Sequence, residues 1–123
     1  MTLYSIDPRR ERPQGPKLFH DYTVLGEADI TSPDVRRVVA QTVQHALSSW
    51  DGAYMMCFEP RHGIRVTNGT QSYDLLICFE CQYIYSYSGE QGLGVTGLTG
   101  SQAPLDDILR AANIPLPKQH NEQ

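Results

Sequence analysis

From Val35 onward, apolar side chains recur every three or four residues: Val35, Val38, Val39, Thr42, Val43, Ala46, Leu47 and Trp50. That spacing draws one stripe along a helix. Arg36, Arg37, Gln41, Gln44, His45 and Ser48 fall on the opposite side. Ser32 precedes Pro33 and Asp34, an N-cap followed by a first-turn proline and an acid that suits the helix dipole. Asp51-Gly52 supplies the stop. The pattern predicts a helix over 33–50. A second, shorter helix is predicted over 104–112, where Leu105, Ile108, Leu109 and Ala112 share a face and Pro115 lies past the end.

Between the helices the period changes to two. Residues 53–59 (AYMMCFE) read as a strand, 60–63 (PRHG) as a bend, and 64–67 (IRVT) as its continuation. Asn68-Gly69 is a strong hairpin signal. It leads into a long predicted strand from Gln71 to Tyr87. Alternation along that strand puts Tyr73, Leu75, Ile77, Phe79, Cys81, Tyr83, Tyr85 and Tyr87 on one face, under the helices. Asp74, Leu76, Cys78, Glu80, Gln82, Ile84 and Ser86 take the other. Residues 18–30 read as a further strand, kinked near Gly26. Residues 88–101 hold five glycines and read as a mobile loop or as a short strand around Leu93–Leu98. The sum is an α+β fold: one two-layer domain over 18–117, an antiparallel meander sheet with two helices packed on one face. Residues 1–17 read as an irregular basic, proline-rich arm, and 118–123 as a frayed end.

The 123 residues fit one domain with one core. Net charge is −4 and unevenly spread: residues 1–20 carry +2 and the remainder −6. An acidic body repels phosphate backbones, so nucleic acid is not the expected partner, whereas a basic protein is. No apolar run reaches the ~20 residues that span a bilayer, so no membrane is expected. The first 17 residues lack the apolar segment of a secretory signal. With an odd count of three cysteines, the expected compartment is the cytoplasm.

The chemistry-bearing residues are few. Cys78 and Cys81 form a Cys-x-x-Cys pair inside the long strand. In a regular strand they point to opposite faces with Cα atoms ~10 Å apart, and a disulfide needs less than about 7 Å. The expected state is therefore free, buried thiols. A break at Phe79-Glu80 would instead turn both to one side. Cys57, His62, Cys78 and Cys81 make a possible Cys3His zinc set, the alternative reading of this region. A third reading centres an enzyme on Cys57 and His62. Gly92, Gly94 and Gly97 match Gly-x-Gly-x-x-Gly, but no βαβ unit surrounds them and the match carries no nucleotide-binding expectation. His20 and His45 read as polar surface groups.

The pair CFEPRHGIRV (57–66) and LLICFEC (75–81) resembles motifs of small bacterial proteins of similar length, a resemblance that covers about 20 residues and brings no activity or ligand. In size and charge the chain is similar to the immunity proteins that neutralise bacterial toxins. The leading expectation is a non-enzymatic protein-binding domain without cofactor. Its partner face is expected to draw on Glu59, Arg61, His62, Glu80, Tyr83, Tyr85 and Tyr87.

Overall fold

A computed structural model describes residues 1–9, 15, 17–56 and 58–118. The chain forms an α+β domain with a seven-stranded antiparallel sheet. Its strands run β1 (Thr2–Ile6), β2 (Leu18–Phe19), β3 (Tyr22–Asp29), β4 (His62–Asn68), β5 (Gln71–Cys78), β6 (Tyr83–Ser88) and β7 (Gln91–Gly97). Their order across the sheet is β2-β3-β1-β4-β5-β6-β7. The helices are α1 (Pro33–Ser48) and α2 (Ala103–Ala111). Helix α1 begins as its sequence dictates: Ser32 accepts from the Val35 N–H, with Pro33 in the first turn.

The helices cover one face of the sheet. Val39, Val43 and Ala46 of α1 and Leu105 and Leu109 of α2 pack with Leu3, Ile64, Ile77, Ile84 and Leu98. Val38 and Leu47 of the α1 stripe stay partly exposed.

The expected 18–30 strand is two, β2 and β3, paired antiparallel across the His20-Asp21 turn, and four further departures from the sequence-based expectation shape the molecule. First, β1 lies within the stretch read as an arm. It pairs with both β3 and β4 in the middle of the sheet, and Leu3 and Ile6 are fully buried. Second, 53–56 and 58–59 form no strand, and the expected bend at 60–63 gives way to β4, which already starts at His62. Third, the glycine-rich segment is a strand, β7, paired along β6 with a bulge near Leu93.

The fourth departure matters most. The expected 71–87 strand is two strands. The chain reverses over 79–82, with Gln82 in the left-handed region at φ 65° and its N–H donating to the Phe79 carbonyl at 3.2 Å. A four-residue reversal between paired strands resets the alternation. Cys78 now faces Tyr83 across the ladder, Leu76 faces Tyr85, and Asp74 faces Tyr87. Tyr83, Tyr85 and Tyr87 therefore share the face opposite the helices, not the face beneath them, while Tyr73 stays on the side of Ile77.

That second face is covered by the chain itself. The two-residue turn His20-Asp21, with φ 47° and 73°, folds β2 back on β3 in the type I′ geometry that matches strand twist. Phe19 then lies over Gly63 of β4, where a Cβ would come within 2.7 Å of the ring. At the other end Trp50 lies over Gly97 of β7 in the same manner. Phe58 packs between Tyr83, with ring centroids 4.9 Å apart, and Tyr85, at 4.6 Å.

Gly63→Ala is expected to lower unfolding stability by about 1–3 kcal/mol, because Phe19 is pinned between Tyr4 and His20 and an added methyl overpacks the site. Denaturant titration checks this, and an unchanged midpoint would contradict the seat assigned to Phe19.

Candidate functional site

The reversal at 79–82 brings Cys78 and Cys81 to a Cα–Cα distance of 5.1 Å, and they form a disulfide. The expectation of free thiols is thereby corrected. Its premise, a regular strand through both cysteines, fails at Phe79. The pair is buried beside Phe58, Tyr83 and Tyr85. The Cys81 sulfur accepts from the Glu59 N–H at 3.3 Å, and the Cys81 carbonyl accepts from the Met55 N–H at 2.9 Å. The bridge thus anchors the 53–59 segment that crosses to the second face.

The bond also bears on the zinc reading. Cys78 and Cys81 are joined to each other, so neither sulfur is a thiolate ligand in this state. His62 lies on the helix side of β4, where it bonds Asp106 of α2. Cys57 falls outside the described residues. Among the described residues no group of three or more His, Cys, Asp or Glu side chains converges as a metal site.

The residues expected to form a partner face are dispersed. Arg61 and His62 are buried, as is Tyr83. Arg61 donates to the Lys118 carbonyl at 2.9 Å, and its Nε lies 3.8 Å from Glu80 Oε1. Glu80 is exposed at the reversal, while Glu59, Tyr85 and Tyr87 are half-buried. Burial withdraws Arg61 and His62 from any flat contact surface.

Two histidine–aspartate pairs lie on opposite faces. On the helix side, His62 Nε2 is 2.7 Å from Asp106 Oδ1, and Gln102 donates to Asp106 Oδ2 at 3.0 Å. His62 Nδ1 is buried with no hydrogen-bond partner among the described residues. Burial pushes the Asp106 carboxyl up, but its bonds from His62 and Gln102, with Arg110 nearby, prevail and hold it below the ordinary aspartate value.

On the second face His20, expected at the surface, is instead built into the fold. Its side chain is 5% exposed and stacks on Tyr87 with centroids 3.7 Å apart. His20 Nε2 lies 2.8 Å from Asp74 Oδ2. Arg65 donates to both Asp74 oxygens, from Nε at 2.9 Å and from the terminal nitrogen at 2.8 Å. This is the paired-fork geometry that suits guanidinium and carboxylate. Burial again raises Asp74, and the hydrogen bonds from Arg65 and His20 outweigh it, so the carboxyl stays below its usual range. Arg65 is correspondingly raised, chiefly by its bonds to Asp74. The cluster ties the β2–β3 turn to β4 and β5.

Beside His20 opens a cleft of about 360 Å³ lined by Leu18, His20, Asp21, Tyr87 and Glu90. Among the described residues each imidazole is hydrogen-bonded to a carboxylate, His20 to Asp74 and His62 to Asp106.

A further surface escaped the sequence reading. Trp50 stacks with Tyr54 at 6.0 Å, and Tyr54 meets Tyr83 edge-on at 5.6 Å. Met55 and Met56 follow, and Met56 is 99% exposed. Val95 and Leu93 of β7 are also exposed. The signal available in the sequence was the run Trp50, Tyr54, Met55, Met56, which a strand assignment for 53–59 had absorbed. No family model, no curated protein and no solved structure matches the chain.

Asp74→Asn is expected to cost roughly 2–3 kcal/mol, less than the ~3–5 kcal/mol of breaking a fully buried pair, because Arg65 is about one-third exposed. The carboxyl's folded value is depressed, so its contribution is present above the ordinary aspartate range near ~4 and is lost as pH falls through the lower folded value. Unfolding curves from pH 7 to pH 2 should show a steeper acid loss in the parent than in Asp74→Asn, the remaining slope coming from Asp106, Asp7 and Asp51, whose carboxyls are also held below the ordinary value. Parallel curves would contradict the assignment.

Proposed function

We propose that the chain is a non-enzymatic protein-binding domain that engages its partner along β7 and the adjoining aromatic patch. One observation carries this reading: an edge strand of seven residues without a charge (QGLGVTG) runs beside exposed Trp50, Tyr54, Met55, Met56 and Val95. Sheet edges are ordinarily blunted by charge, proline or cover, because an open edge pairs with another chain. The bulge near Leu93 turns the first half of β7 aside. Gly94–Gly97 remain for strand addition, in which main-chain hydrogen bonds supply affinity and flanking pockets supply selectivity. Tryptophan, tyrosine and methionine are the residue types enriched at such contacts.

The partner in this reading is basic. The body of the chain beyond residue 20 carries −6, which speeds encounter with a positive surface. A toxin-neutralising role, in the manner of immunity proteins, is the finer form of the proposal and rests on size and charge. No helix among the described residues is long and apolar enough to cross a membrane. The Cys78–Cys81 bridge supports an oxidising compartment over the cytoplasm expected from the first 17 residues, since disulfides persist poorly in a reducing cytosol.

Val95→Lys places a charge on the edge at an exposed position and leaves the core untouched. Proteins captured from the source cell by the parent chain should be retained at least tenfold less by Val95→Lys. Asp107→Lys, on exposed α2 surface, should capture as the parent does. Equal capture by Val95→Lys and the parent would contradict the β7 edge as the binding element.

A further inference from the structure

The cleft between the β2–β3 turn and the β6–β7 turn has the construction of a ligand site. Its floor is the His20 imidazole, which is almost wholly buried and is fixed on both counts that matter. Tyr87 stacks on the ring and sets its plane. Asp74 takes Nε2 at 2.8 Å and sets its tautomer. An ionised carboxylate only accepts, so Nε2 must carry the proton. Arg65 already supplies two charge-assisted bonds to the same carboxylate. Nδ1 is the other ring nitrogen, and in a ring whose single proton sits on Nε2 it is an acceptor, beside the cleft that His20 lines.

Opposite Nδ1 stands Glu90 Oε2, 3.9 Å away. That is too long for a hydrogen bond between them. It is the spacing of two acceptors that share one donor nitrogen, which would lie about 2.8–2.9 Å from each. Glu90 is held on the Gly89-Glu90 turn, where Gly89 takes φ 58°, and its side chain is 93% exposed. It is therefore free to close on a ligand at little cost to the fold. Leu18 gives an apolar wall for a hydrocarbon stem.

We propose that this cleft binds the cationic nitrogen of an amine or guanidine, as presented by a lysine or arginine side chain of a protein partner. An N–H of the ligand donates to His20 Nδ1, and a second donates to Glu90. The position is compatible with the reading of β7 as the docking edge, since a partner chain paired along Gly94–Gly97 reaches the Glu90 turn if it continues past the bulge near Leu93. The inference rests on that reading only for the source of the cation. The site itself is testable with small amines.

The first probe is n-butylammonium at pH 8, followed by the imidazole nitrogen and carbon-bound proton resonances of His20. Saturable shifts are expected, weakened at least fivefold in Glu90→Gln, which alters an exposed side chain and leaves the turn intact. Tetramethylammonium carries the charge without a donor and should give no saturable shift. Equal binding of tetramethylammonium, equal binding by Glu90→Gln, a His20 Nδ1 that carries a proton at pH 8, or no saturable response at all would each overturn the proposal. A lysine-containing basic peptide separates the sources. If it binds more tightly than n-butylammonium in the parent and loses that gain in Val95→Lys, the cation comes from a partner docked on β7. If Val95→Lys leaves the peptide unaffected while Glu90→Gln weakens it, the cleft stands and the β7 reading fails.

Discussion

The four-residue reversal at Phe79–Gln82, clamped by Cys78–Cys81, decides what each face of this sheet is made of. Without it β5 and β6 would be one strand, and every second residue from Tyr73 to Tyr87 would lie beneath the helices. With it, Ile77 and Ile84 meet across the ladder on the helix side, while Tyr83, Tyr85 and Tyr87 line the reverse. The clamp reaches further through Cys81, which holds the backbone of Met55 and Glu59. The crossing from α1 to β4 is thus fastened to the turn that created the face it crosses.

The reverse face then needs cover, and each end provides an aromatic seated on a glycine, Phe19 on Gly63 and Trp50 on Gly97. Between them the rings form a near-continuous path from His20 and Tyr87 through Tyr85, Phe58 and Tyr83 to Tyr54 and Trp50. Such a layer buries large area at modest entropic cost. Its buried carboxylate, Asp74, is satisfied by Arg65 and His20, as a buried charge must be. The proposed contact surface begins where this layer runs out: Trp50, Tyr54, Met55 and Val95 continue it into solvent.

The helices were legible because their signals are local. Ser32-Pro33-Asp34 and the three-four spacing act within a turn or two. The Asn68-Gly69 hairpin was legible too, though the loop is Gly69-Thr70, with Gly69 at φ 64°. This moves the pairing by two residues and leaves every side chain on its expected face. The reversal at 79–82 was hidden because FECQ lacks glycine, proline and asparagine, and its geometry rests on Gln82 in a left-handed conformation and on a covalent bond. Strand β1 was hidden because LYSI is short and followed by proline and arginine. Only pairing with β3 and β4 on both sides makes it a strand. His20 gave no signal at all: its burial depends on Asp74 and Tyr87, more than 50 residues away in sequence, so the site is a product of tertiary structure.

The most direct test of the account is the covalent state of the cysteines in protein purified without reductant. Denaturation in an alkylating agent followed by peptide mapping should find one modified cysteine per chain, Cys57, and a cross-linked Cys78–Cys81 pair. The chain has three cysteines, so the count alone discriminates. Three modified cysteines, or a bridge that involves Cys57, would contradict the covalent clamp on the 79–82 reversal.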